Sequence, residues 1–130
     1  MNVLFEEDGG FKAGSVMADN DSSLQVEMPT GKRSKIKAAT VLLRFEKPSA
    51  AALLEQATPL AEEIEPDFLW ECVNDGEFSF LDFARDYYGH EPAPGEATAV
   101  LLALHAAPIY FHRKGKGRFR KAPPDILAAA

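Results

Sequence analysis

Cysteine is almost missing from this chain. The one copy, Cys72, excludes an intramolecular disulfide and points to a reducing, cytoplasmic setting. No apolar run approaches the roughly 20 residues that a membrane-spanning helix needs. The start, Met1 to Asp8, has neither a basic beginning nor a long apolar stretch, so no signal peptide is expected. His90, His105, His112 and Cys72 form no CxxC or HxxxH pair, which argues against a zinc site. A P-loop, a dinucleotide-binding glycine pattern and a nucleophile elbow are all lacking. Glu62, Glu63, Glu65, Asp67 and Glu71 cluster near a helix junction, where a solvated face or a helix N-terminus accounts for them. Asp82 and Asp86 stand four apart, but nothing pairs with them to make a catalytic or metal site. No active site is expected in these 130 residues.

Charge of one sign is also scarce, region by region. Residues 48–100 carry twelve acids and a single base, Arg85. Residues 1–31 carry six acids and one base. The cations gather in the remainder: six in residues 32–47 and six in residues 101–130, each region with one acid. The net charge of −6 therefore hides two basic surfaces separated by an acidic one. At 46% apolar and 26% charged, the chain is globular, long enough for one ordinary domain or two small ones.

Residues 1–47 read as a small all-β unit. Leu24, Val26 and Met28 alternate with Gln25 and Glu27, the cleanest period-two pattern present. Short strands are expected at Val3 to Phe5, Phe11 to Met17, Leu24 to Met28, Lys32 to Lys37 and Val41 to Phe45. Five short strands joined by tight turns suggest an SH3-like β-barrel, whose closure would protect its edges. Ile36 should point inward, leaving Arg33, Lys35 and Lys37 as a cationic stripe, with Lys32 beside it.

Pro48 marks a boundary, and residues 48–130 turn helical. Ser49 can cap a helix carrying Leu53, Leu54, Ala57, Leu60, Ala61 and Ile64, which Pro59 should kink or split. A second helix begins after Pro66, with Phe68, Leu69, Cys72 and Val73 as its buried side and Trp70 as a core anchor. Asn74-Asp75-Gly76 stops it. Ser79 caps a third helix, Phe80 to Tyr88, which Gly89 ends. Pro94 opens a fourth, which runs through His105, a packed or capping histidine, and ends at Pro108.

A basic hairpin follows, residues 109–120. Ile109, Phe111 and Phe119 should face a core, while Tyr110, His112, Arg118 and Arg120 face out. With Lys114-Gly115-Lys116 at the tip, Phe111 would lie opposite Phe119 and His112 opposite Arg118. Two helices and a hairpin in this order match a winged helix-turn-helix, giving an α+β fold overall. Gly95 to Ala106 would be the recognition helix and the hairpin the wing. That helix offers Glu96, Thr98 and His105 but no cation, so it is ill suited to reading base edges and better suited to a core. Six cations in nine residues exceed what protection of a strand edge requires. Arg113, Lys114, Lys116, Arg118, Arg120 and Lys121 are candidates for phosphate contact, and Tyr110 for stacking on a base.

Leu104 to Arg120 resembles a segment upstream of the catalytic domain in one branch of bacterial exoribonucleases. These belong to the ribonuclease II and ribonuclease R (RNB) family. The start, Asn2-Val3-Leu4-Phe5-Glu6-Glu7, and the strand from Gly31-Lys32-Arg33 to Lys37 also fit. That branch carries an SH3-like barrel and a winged helix where other members carry cold-shock domains. The resemblance implies a parent hydrolase that degrades RNA from the 3′ end with magnesium. It also implies that the aspartates holding magnesium lie in a catalytic domain that is not here, so no catalytic residue is carried over. On this reading the chain is an N-terminal region of a longer protein, ending in an unfinished Pro-Pro-Asp-Ile-Leu helix. Its expected partners are single-stranded RNA and the parent's catalytic domain, with no membrane, as a monomer. The alternatives are a protein-interaction module and, less favoured, a winged-helix DNA-binding regulator.

Overall fold

The structure is a computed structural model that describes residues 1–125. The helix expected to begin at Asp125 therefore falls almost wholly outside the described residues. The chain is α+β, with four helices and two antiparallel sheets among the described residues. It divides into two compact units, Met1–Gln56 and Ala57–Ala130, with the division inside a helix. No helix among the described residues is long and apolar enough to cross a membrane.

In the first unit, strands β1 (Asn2–Glu7), β2 (Gly10–Asp19), β3 (Ser23–Glu27), β4 (Arg33–Lys37) and β5 (Val41–Phe45) form one sheet, ordered β4-β3-β2-β1-β5. All five lie where alternation and turn residues place them. The turns are tight and demand positive φ at Asp8, Gly9 and Gly31, among others. One sheet face buries Val3, Phe5, Leu24, Val26 and Ile36 together. Leu4 is fully buried too, so β1 is covered on both faces. The sheet is not a closed barrel: β4 and β5 are its two edges. A 3-10 turn, Ala38–Thr40, packs against β1 and β3 and carries the chain from one edge to the other.

Helix α1 (Ala50–Glu62) starts where the Ser49 hydroxyl accepts the Ala52 N–H at 3.2 Å. It runs through Pro59 without splitting, so of the two expected effects of Pro59 the split does not occur. Proline removes only the one donor that would reach the Glu55 carbonyl, near the end of the helix and on an exposed side.

The second unit also contains α2 (Pro66–Cys72), β6 (Glu77–Ser79), α3 (Phe80–Tyr88), α4 (Pro94–His105), β7 (Phe111–Gly115) and β8 (Arg118–Lys121). Ser79 caps α3 by accepting the Asp82 N–H at 3.1 Å, and Gly89 ends it at φ +76°. β6 was not expected from the sequence. It pairs with β8, which makes β8 the middle strand of a sheet ordered β6-β8-β7.

Two burial expectations reverse on α2. Phe68 is 52% exposed and Cys72 is exposed, while Leu69 and Val73 are buried. Residues four apart share a helix side. Only half of the expected side is thus buried, with 69/73 inward and 68/72 outward. Trp70 is half-buried, and its Nε1 donates to the Ala122 carbonyl at 2.8 Å.

Candidate nucleic-acid interface

The basic hairpin forms, in a register other than the expected one. Phe111 lies opposite Lys121, His112 opposite Arg120, Arg113 opposite Phe119, and Gly115 opposite Arg118. The tip is Lys116-Gly117, with φ of +54° and +73°. Positive φ at both loop residues marks a type I′ turn, whose twist suits the flanking strands. A turn centred on Lys114-Gly115-Lys116 would have no such match. An irregularity between Arg113 and Gly115 absorbs the extra residue.

Inward and outward faces survive the shift for most positions. Phe111 and Phe119 are buried and meet Phe78 edge-on or tilted, with ring centroids 6.2 and 6.4 Å away. Phe78 also meets Phe83 at 5.6 Å. Ile109 is the exception at 56% exposed, because it lies in the turn before β7 and outside the ladder. Tyr110 is half-buried, its carbonyl accepts the Ala122 N–H at 2.7 Å, and its ring centroid is 6.5 Å from that of Phe111.

The hairpin is anchored rather than free. β8 pairs on both sides, and the Phe80 N–H donates to the Gly117 carbonyl at 2.9 Å. The tip is thereby tied to the start of α3.

The candidate cations differ in exposure and in the contacts that hold them. Arg113, Lys114, Lys116 and Arg120 are exposed. Arg118 is exposed too, but its Nε pairs closely with the Glu77 carboxylate across the sheet. Lys121 is half-buried; its Nζ donates to the Val73 carbonyl at 3.0 Å and lies 4.3 Å from the centroid of the Trp70 ring. It ties β8 to the end of α2 and has little charge to offer outward.

The second basic stretch is as its alternation predicts. Arg33, Lys35 and Lys37 are exposed on one side of β4, Ile36 is buried on the other, and Lys32 is exposed in the turn before. β4 is an edge strand, so the stripe has open space along it. Opposite the three cations stand Glu27, Gln25 and Ser23 on β3. The Arg33 Nε lies 3.4 Å from the Glu27 carboxylate, leaving Lys35 and Lys37 beside neutral partners. Met17, 47% exposed, lines a shallow groove with Gln25, Arg33 and Lys35.

Helix α4 offers a nucleic acid almost nothing. Gly95, Ala97 to Leu101, Ala103 and Leu104 are all buried. Thr98 is fully buried and donates its hydroxyl to the Pro94 carbonyl at 2.8 Å. A helix buried all round is a core element. Among the described residues no three His, Cys, Asp or Glu side chains gather where they could hold a metal ion.

No family model matches this chain, and neither a curated protein nor a solved structure matches it.

Proposed function

We propose that this chain is an RNA-guiding N-terminal region of an RNB-type 3′-5′ exoribonuclease. It contacts single-stranded RNA through the sugar-phosphate backbone and does not read sequence. One observation carries this reading: the exposed cations Arg113, Lys114, Lys116 and Arg120 stand on a tethered hairpin, while the neighbouring helix α4 is buried. Cations without base-reading side chains hold any sequence equally, which suits an enzyme that moves along its substrate. The β4 stripe of Arg33, Lys35 and Lys37 supplies a second backbone contact.

The strand order supports the two named folds. In the second unit, β6, α3, α4, β7 and β8 follow one another and the sheet is ordered β6-β8-β7, as in a winged helix with β7–β8 as the wing. In the first unit, a meander of four strands, a 3-10 turn and a fifth strand beside β1 follow the order of an SH3-like unit. The experiment is binding of labelled single-stranded RNA at two salt concentrations, for the chain and for the variant R113E/K114E/K116E. Binding that weakens with salt, and collapses on charge reversal, is the expected result. Equal affinity of the variant and the parent chain rejects the hairpin as an RNA contact.

A further inference from the structure

The second unit has another surface, of opposite character. A groove of about 680 Å³ opens beside α2 and α3. Its apolar lining includes Phe68, Cys72, Val73, Phe78, Phe83 and Tyr87. Its remaining lining includes Asp75, Glu77, Asp82 and Asp86, with no Lys, Arg or His among the described residues. Glu77 is paired with Arg118, and Asp82 with Arg85 at 3.0 Å. Asp75 and Asp86 are exposed.

We infer that this groove docks a short basic, amphipathic polypeptide segment, with apolar side chains seated between α2 and α3 and lysines or arginines facing the carboxylates. Three observations converge on that occupant. First, the outward 68/72 side of α2 is an apolar strip, and Phe68 remains 52% exposed on the groove. A phenylalanine left that open gains by being covered, at roughly 25 cal/mol for each Å² removed from water. Second, the charged side chains of the described lining are all carboxylates, and Asp75 and Asp86 stand exposed beyond the two held by Arg118 and Arg85, which favours a cationic partner. Third, the size falls within the roughly 300–1,000 Å³ that pockets for small ligands span, so it takes a few anchor side chains and not a domain face. A segment that alternates apolar anchors with cations at helical spacing satisfies all three.

This inference does not rest on RNA binding. The acidic groove and the basic hairpin meet at the Glu77–Arg118 pair, and each has its own test. The probe for the groove is a fluorescein-labelled amphipathic peptide of leucine and lysine, titrated with the whole chain and followed by anisotropy. A matched peptide with glutamate in place of lysine is the control. Saturable binding of the lysine peptide is expected, with affinity falling as salt rises and the glutamate peptide at least about ten-fold weaker. Phe68→Ala should weaken binding about ten-fold, and so should the double variant D75K/D86K. All three positions are exposed, so the variants should keep the far-UV circular dichroism of the parent chain. The proposal is overturned by absence of saturable binding, by equal binding of the glutamate peptide, or by either variant leaving the affinity unchanged. It is also overturned if Phe68→Ala weakens single-stranded RNA binding but not peptide binding, since the groove would then belong to the RNA path.

Discussion

Lys121 caps the Trp70 ring at 4.3 Å and ties β8 to the last turn of α2 through the Val73 carbonyl. It belongs to the run of cations that the sequence offers as an RNA contact, yet its charge is turned back onto the protein. A cation over an indole and a hydrogen bond to a carbonyl are each worth about 0.5–1.5 kcal/mol. Lys121→Met keeps the aliphatic stem and removes both. The expected outcome is a loss of about 1–2 kcal/mol in urea unfolding with RNA affinity and its salt dependence unchanged. A salt slope that falls in this variant would return Lys121 to the RNA contact.

The exposed cations should behave in the opposite way. For single strands, each phosphate contact contributes about 0.7 to the slope of log K against log salt concentration. Neutralising Arg113, Lys114 and Lys116 with alanine should therefore lower that slope by about 2 if each touches a phosphate. Thermal unfolding should shift little, since substitutions at exposed surface positions usually lie within about ±0.5 kcal/mol. Measuring the slope in parallel with the melting curve separates lost contacts from lost folding.

Arg118 gives a finer test, because Glu77 competes for it. The pair is solvent-exposed, with both side chains close to half accessible, and such pairs contribute about 0–1 kcal/mol. Glu77→Gln removes a negative charge beside the hairpin and releases the guanidinium. RNA affinity is expected to rise a few-fold at low salt, with a small loss of stability. Arg118→Ala should cost less affinity than Lys116→Ala. The reverse order of those two losses would show that the Glu77 pair opens when RNA binds.

Most of the fold was legible because its signals are local. The alternation of Leu24, Val26 and Met28 fixes which face of β3 is buried, and Ser79 and Gly89 bracket α3 by chemistry contained within one turn. What was not legible depends on distant partners. β6 is three residues long and has no pattern of its own; it becomes a strand because Phe78 meets Phe119 across forty positions of chain. The phase of α2 is similar. Phe68, Leu69, Trp70, Cys72 and Val73 are apolar on nearly every side of a two-turn helix, so only its packing selects 69 and 73. The cations could be found by counting, but which of them are already engaged could not. For Lys121 and Arg118 that depends on Trp70 and Glu77, some 50 and 40 residues away, with no sequence signal linking them.

Acid stability offers a test at the Arg85–Glu91 pair. The Arg85 guanidinium donates to the Glu91 carboxylate at 2.8 Å and holds its pKa below the ordinary value of 4.5. The folded chain thus binds the Glu91 proton less readily than the unfolded chain. The pair's contribution is complete above 4.5 and is lost as the pH falls through the lowered value. Glu91→Gln should melt slightly lower than the parent chain at neutral pH, and the gap should close in acid below that range. A gap that persists unchanged in strong acid would mean that the amide alters packing rather than charge.

The tip of the hairpin sets stability against binding at a single residue. Lys116 has φ +54°, a conformation that costs an ordinary L-residue roughly 1–2 kcal/mol and that asparagine adopts more readily. Asn-Gly is also the preferred pair for a type I′ turn, and Gly117 already follows. Lys116→Asn should therefore stabilise the hairpin by about 0.5–1 kcal/mol, because less strain is stored in the turn. The same change removes an exposed cation at the point of the hairpin farthest along its ladder. RNA affinity should fall and the salt slope should drop by about 0.7. The two readouts thus move in opposite directions, which no general loss of folding can imitate. Melting and RNA titration of this one variant check both halves, and a variant that melts higher with unchanged RNA affinity would leave the type I′ turn standing while removing Lys116 from the RNA contact.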